Sequence, residues 1–149
     1  MNNVRFALVG KIRGKARPRV TCNGVYTPRA TKEYEELVRT AYKCAAKGEY
    51  FGSIKDSEIK KQLRVEIIAY FGVPASYTRG KRLAAENNII RPTKKPDCDN
   101  IGKIVCDALN GAAWDDDAQV VDMRVEKWYT SGDERLEVWI SEAEGNENE

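Results

Sequence analysis

Lys95-Pro96-Asp97-Cys98-Asp99-Asn100-Ile101-Gly102-Lys103-Ile104-Val105-Cys106-Asp107-Ala108-Leu109-Asn110-Gly111 joins an extended entry to a run of helical period and a stop. Pro96 disfavours helical backbone at Lys95, so the chain arrives extended and a helix begins only after Asp97. Asn100 to Leu109 reads as that helix, with Asp99 as its N-cap and Asn110-Gly111 as its stop. Ile101, Ile104, Val105, Ala108 and Leu109 gather on one side, where a core would lie. Asp99, Lys103 and Asp107 follow one another at helical spacing, each about 40° further round, as a polar stripe.

On either side of this helix the chain alternates as strands do. Val4 to Ile12 and Leu63 to Phe71 read as strands, the latter through Val65, Ile67 and Ala69. Val20 to Tyr26 reads as another, with a tight-turn signal at Asn23-Gly24. Gln119 to Thr130 and Arg135 to Ser141 read as a closing hairpin joined across Ser131-Gly132-Asp133. Thr27 to Lys47 has helical composition, with Thr31 as its expected cap and Gly48 as its stop. Gly72 to Pro96 is the least regular part, read as a mobile basic segment with room for a short helix around Lys81 to Glu86. The pattern predicts an α+β domain of two layers over residues 1–141, a mixed or antiparallel sheet with helices on one face. Residues 142–149 read as a flexible acidic tail.

The formal charge of +2 conceals a separation: residues 1–96 hold 21 Lys and Arg against 8 Asp and Glu, whereas residues 97–149 hold 4 against 15. A basic half suits a polyanionic partner, because clustered cations displace the counterions of a phosphate backbone. The chain has no histidine, which removes histidine bases, Ser-His-Asp nucleophiles and histidine-ligated zinc from consideration. Cys22, Cys44, Cys98 and Cys106 form no CxxC, and Cys98 reads as buried filler. No signal peptide or run of 18 apolar residues is present, so a cytoplasmic protein without membrane contact is expected.

Carboxylates with a hard cation fit these restrictions best. If Asp97 ends an extended segment, Asp97 and Asp99 are two residues apart and point the same way. Beyond the helix, Trp114-Asp115-Asp116-Asp117-Ala118-Gln119-Val120 sets three adjacent acids before an apolar strand, a repulsion that a cation would relieve. Taken singly, each acidic stretch is ordinary turn or cap chemistry. Their combination with Lys103 points to one site. A PD-(D/E)xK nuclease is excluded by order, since the only acid-x-lysine, Glu58-Ile59-Lys60, precedes Pro96-Asp97.

Asp97-Cys98-Asp99-Asn100, Lys103, Asp107-Ala108-Leu109, Asp116-Asp117-Ala118-Gln119-Val120 and Lys127 resemble the RusA family of Holliday junction resolvases, as do Lys15-Ala16-Arg17-Pro18-Arg19 and the Thr27-Pro28…Tyr34-Glu35 segment. The resemblance implies a small α+β homodimer that cleaves four-way DNA junctions with Mg²⁺ bound by Asp97, Asp99 and Asp117. It puts the essential lysine at Lys103. Asp116, Asn100 and Asp107 are candidates for a further ligand or a supporting role. Lys15, Arg17, Arg19, Lys94, Lys95 and Lys127 are the candidate phosphate contacts. The long basic stretch 73–95 and the third acid, Asp115, depart from the compact family pattern. The alternatives are a branched-DNA-binding protein without catalysis and an interaction module using its acidic tail.

Overall fold

The computed structural model describes residues 3–16 and 19–145. The chain forms β1 (Asn3–Val9), β2 (Arg19–Thr21), β3 (Gly24–Tyr26), α1 (Arg29–Ala46), β4 (Leu63–Gly72), α2 (Arg79–Glu86) and α3 (Cys98–Leu109). After a 3-10 turn at Asp117–Gln119 come β5 (Val120–Thr130) and β6 (Arg135–Glu142). The fold is α+β: a four-stranded mixed sheet in the order β1-β6-β4-β5, with β2 and β3 as a separate ribbon.

Strand β4 distinguishes the two faces of the sheet. Leu63, Val65, Ile67, Ala69 and Phe71 are buried, while Arg64 and Glu66 between them are exposed, and the two-residue period of a strand puts these sets on opposite sides. The register carries the buried face to Val138 and Ile140 on β6 and to Val125 and Tyr129 on β5. Helix α1 covers the β1 side, where Tyr42 meets Phe6 edge-on at 6.1 Å between ring centroids. Helix α3 covers the β5 side so closely that a Cβ on Gly102 would come within 3.0 Å of Met123 Sδ. Each fully covered aliphatic side chain contributes roughly 1.5–3 kcal/mol. A one-residue slip of β4 would expose the whole set, which fixes its register.

The expected closing hairpin does not form. Four residues join β5 to β6, but β4 lies between them: Ile67 pairs with Val125 in the parallel β4–β5 ladder and with Val138 in the antiparallel β4–β6 ladder. The turn residues show that the chain reverses, not beside which strand it returns. The path from β4 through α3 to β5 is a strand–helix–strand crossover, which lays two strands parallel, and β6 then satisfies the other edge of β4. Pro28, not Thr31, precedes α1; its carbonyl accepts the Thr31 and Lys32 N–H groups, and Thr31 is buried in the first turn. Residues 73–95 contain the short helix allowed for around Lys81 to Glu86: it is α2, capped by Thr78, whose hydroxyl accepts the Lys81 N–H at 3.3 Å. Beyond β6, the Ala143 N–H donates to Gln62 O at 2.8 Å; residues 146–149 of the expected tail lie outside the described residues.

Candidate active site

The chain enters α3 through a cis Lys95-Pro96 peptide and then Asp97, which takes the cap position expected of Asp99. Asp99 lies one step inside, in the first turn. An N-cap carboxylate ordinarily turns back to accept a free N–H of that turn. Asp97 makes no such bond, and both acids are exposed. Two exposed carboxylates thus stand at the positive end of the α3 dipole, where negative charge is favoured. Lys103, one turn further on, is exposed as well.

The basic loop before β2 docks on this end of α3. The Lys15 N–H donates to Asn100 O at 2.9 Å. Gly14 sits so tightly that a Cβ there would lie 2.7 Å from the Cβ of Pro96 and 3.0 Å from that of Asn100. The result is an open cleft of about 920 Å³ with Lys11, Arg13 and Lys95 in its wall beside Asp97 and Asn100. Lys15, expected to face phosphates, has an internal role. Its Nζ lies 2.5 Å from Glu35 Oε1 and 3.2 Å from Asp107 Oδ2, joining α1 to α3. Burial alone would lower the pKa of this ammonium, but hydrogen bonds to Glu35 and Asp107 outweigh it and raise it.

The three consecutive acids have three different settings. Asp115 accepts hydrogen bonds from Lys60 and Tyr50, in that order the main reasons its pKa is lowered. Asp116 caps the 3-10 turn, accepting the Ala118 N–H at 3.3 Å. Asp117 is half-buried, and its pKa is raised by its bond to Asp116, by burial and by the charges of Asp116 and Asp107. Burial, and after it the charges of Asp117 and Asp107, push the Cys106 thiol up to about 12. Asp117, Lys103 and Cys106 line a groove of about 320 Å³.

Gln119 holds this run in place and was not singled out in the sequence, although it stands in the quoted acidic segment. Its Oε1 accepts from the N–H groups of Asp115 at 3.0 Å and Asp116 at 3.2 Å. Its Nε2 is shared among the carbonyls of Phe51 at 2.8 Å, Gly52 at 3.0 Å and Lys61 at 3.1 Å. A buried amide at the start of a strand was the available signal, because such a group must find partners.

Asp97, Asp99 and Asn100 therefore share one end of α3, Lys103 stands midway along it in the groove with Asp117, and Asp107 and Asp116 meet Asp117 toward the other end. Among the described residues, no three Asp, Glu or Cys side chains form a ready-made metal cage. A family model described as endodeoxyribonuclease RusA matches residues 10–141. The chain belongs to the RusA endodeoxyribonuclease family. YqaN of Bacillus subtilis (strain 168), described as an uncharacterized protein, is 32% identical to this RusA family member over 151 residues, covering 95% of this chain and 98% of YqaN.

Lys94 and Lys95 are exposed beside the site, and Lys127 Nζ donates to Lys94 O at 2.5 Å. Arg17 lies outside the described residues; Arg19 opens β2, with only its backbone described. Cys98, expected to be buried, is exposed, its Sγ 3.7 Å from Val125 O. It is the first residue of α3, on the helix end that carries the two acids. No helix of the described residues is long and apolar enough to cross a membrane.

Proposed function

We propose that this RusA family member is a Mg²⁺-dependent, structure-selective endodeoxyribonuclease that resolves four-way junctions in DNA recombination and repair, acting as a homodimer. The observation that carries this reading is the pair of uncapped, exposed carboxylates, Asp97 and Asp99, beside a cleft walled by Lys11, Arg13 and Lys95. Exposed anionic ligands suit a cation, and cationic walls suit the phosphates on either side of the bond to be cut. Two copies suit a substrate with two-fold symmetry, in which opposed strands are cut as a pair.

The donors fit Mg²⁺. They are hard carboxylate oxygens, Cys106 stays protonated, and Asp117 faces Asp116 and Asp107 in a concentration of acid that a divalent ion would relieve. Asp97, Asp99 and Asp117 would hold one or two ions, with Asn100, Asp107 and Asp116 in support. When bound, the ion would activate a water for attack and polarise the phosphoryl oxygen. Lys103 stabilises the charge that builds on the phosphate during attack. Lys11, Arg13, Lys94 and Lys95 hold backbone phosphates, which positions DNA without reading its sequence. Lys15 acts indirectly, by fixing Asp107 and the docked loop.

A branched-DNA-binding protein without catalysis is the second reading, favoured by the division of the acids between the two ends of α3. Incubation with a synthetic four-way junction and a matched linear duplex, in Mg²⁺ or in chelator, distinguishes the two. The nuclease reading expects paired nicks in the junction that require Mg²⁺ and disappear in Asp97→Asn and Asp117→Asn. Full activity in both variants overturns it. Tight junction binding by the unaltered protein with no cleavage supports the second reading.

A further inference from the structure

Residues 73–95 contain six Lys or Arg and one acid, Glu86. Their base is laced to the edge strand β5. Arg91 Nε donates to Lys127 O at 2.9 Å while its guanidinium stacks 3.6 Å from the centre of the Trp128 ring. Lys127 returns a bond to Lys94 O, the Tyr77 and Tyr129 hydroxyls lie 2.7 Å apart, and Arg82 Nη2 donates to Pro74 O at 3.2 Å. The segment is thus held in place against β5, with Ala85 buried and Tyr77 and Ile90 packed on the core.

At its tip α2 ends in two reverse bonds around Asn88, which has φ +62°: Asn88 N–H to Ala85 O at 3.2 Å and Ile89 N–H to Ala84 O at 2.9 Å. In this type of helix ending, an apolar residue at the position of Ile89 usually folds back against the last turn. Ile89 is instead 76% exposed, and Leu83 is 50% exposed. Two apolar side chains are thus exposed on fixed backbone, in a segment that also carries Arg79, Lys81 and Arg91. A continuous duplex offers phosphates and base edges; the faces of its bases become available only where stacking is interrupted. Asp97 follows Ile89 by eight positions in the chain, a span of at most about 29 Å, so tip and acids can engage one junction.

We propose that the tip of α2, with Ile89 as its leading residue and Leu83 in support, is a wedge that packs against unstacked bases at a DNA branch point while the surrounding cations hold the phosphates. This rests on the nuclease reading for its ligand and adds the source of branch selectivity. The test uses the full chain, with Ca²⁺ in place of Mg²⁺, and a four-way junction carrying 2-aminopurine at the branch point; a linear duplex is the comparison. The unaltered protein is expected to raise the fluorescence. Ile89→Ser should abolish that rise and reduce the junction-to-duplex affinity ratio about tenfold, leaving duplex affinity unchanged. Because Ile89 is exposed, the variant should retain its circular dichroism spectrum and melting temperature.

A double Ile89→Ser, Leu83→Ser variant that keeps both the rise and the ratio overturns the wedge. So does equal weakening on junction and duplex, which would make the arm a plain phosphate contact. Self-association lost in Ile89→Ser would assign the tip to a second copy and also overturn it. If the unaltered protein opens the branch point but never cuts in Mg²⁺, the wedge stands and the nuclease reading falls. If it neither binds nor opens junctions, both fall.

Discussion

The two ends of α3 carry acids in opposite circumstances. At the N-terminal end, Asp97 and Asp99 are positioned by backbone alone: an extended entry, a cap without a side-chain bond, and exposure to solvent. Near the other end, Asp115 is engaged by Lys60 and Tyr50, Asp116 caps a turn, and only Asp117 faces other acids without a cationic partner among its principal contacts. Proximity in sequence is therefore a poor guide to role. Asp115 and Asp117 are two residues apart, yet one carboxylate is stabilised as an anion and the other is destabilised.

The largest effect is expected where no bond restrains the acid. Asp97→Asn should reduce the single-turnover rate of junction cleavage by more than about a hundredfold, since even residues that merely support a metal ligand cost 10–100-fold when lost; its melting temperature should match that of the parent. A large loss of stability in this variant would break the contrast, because it would make Asp97 a structural cap.

Gln119→Leu tests the opposite pole. It leaves the N–H groups of Asp115 and Asp116 and three carbonyls without their amide partner, and should cost about 3 kcal/mol in urea unfolding. Lys15→Met removes the cation between Glu35 and Asp107 and should cost about 2 kcal/mol, whereas Lys11→Ala, in the wall of the cleft, should weaken DNA binding with little change in unfolding.

The smallest effect concerns pH. The pKa of Asp115 is lowered in the folded protein, so its contribution to stability is present above the ordinary carboxylate range, near 4 in an unfolded chain, and is lost as pH falls through the lowered value. The melting temperature of Asp115→Asn should therefore lie slightly below that of the parent at neutral pH and converge on it in acid. A constant gap across the titration would remove the Lys60 and Tyr50 bonds from the explanation.

The helix at α3, its buried stripe and the strands around it were legible because each follows a period that a side-chain pattern records. The order β1-β6-β4-β5 was not, since the residues at Ser131-Gly132-Asp133 specify a reversal without naming the neighbouring strand. At the site, the sequence indicated Asp97, Asp99 and Lys103, for local spacing places them at the start and along the first half of one helix. It did not distinguish Asp115 from Asp117, because the partners that do so, Tyr50 and Lys60, are more than fifty residues away in the chain. The internal role of Lys15 was hidden for the same reason: Glu35 and Asp107 lie on two different helices.

Single-turnover cleavage of a four-way junction in Mg²⁺ by Asp115→Asn and Asp117→Asn, side by side, is the most direct test that the acids of one run have separate roles in a nuclease site. Asp115→Asn should cut within a few-fold of the parent and Asp117→Asn should be nearly inactive. Equal loss in both variants, or activity retained by Asp117→Asn and lost by Asp115→Asn, would contradict it.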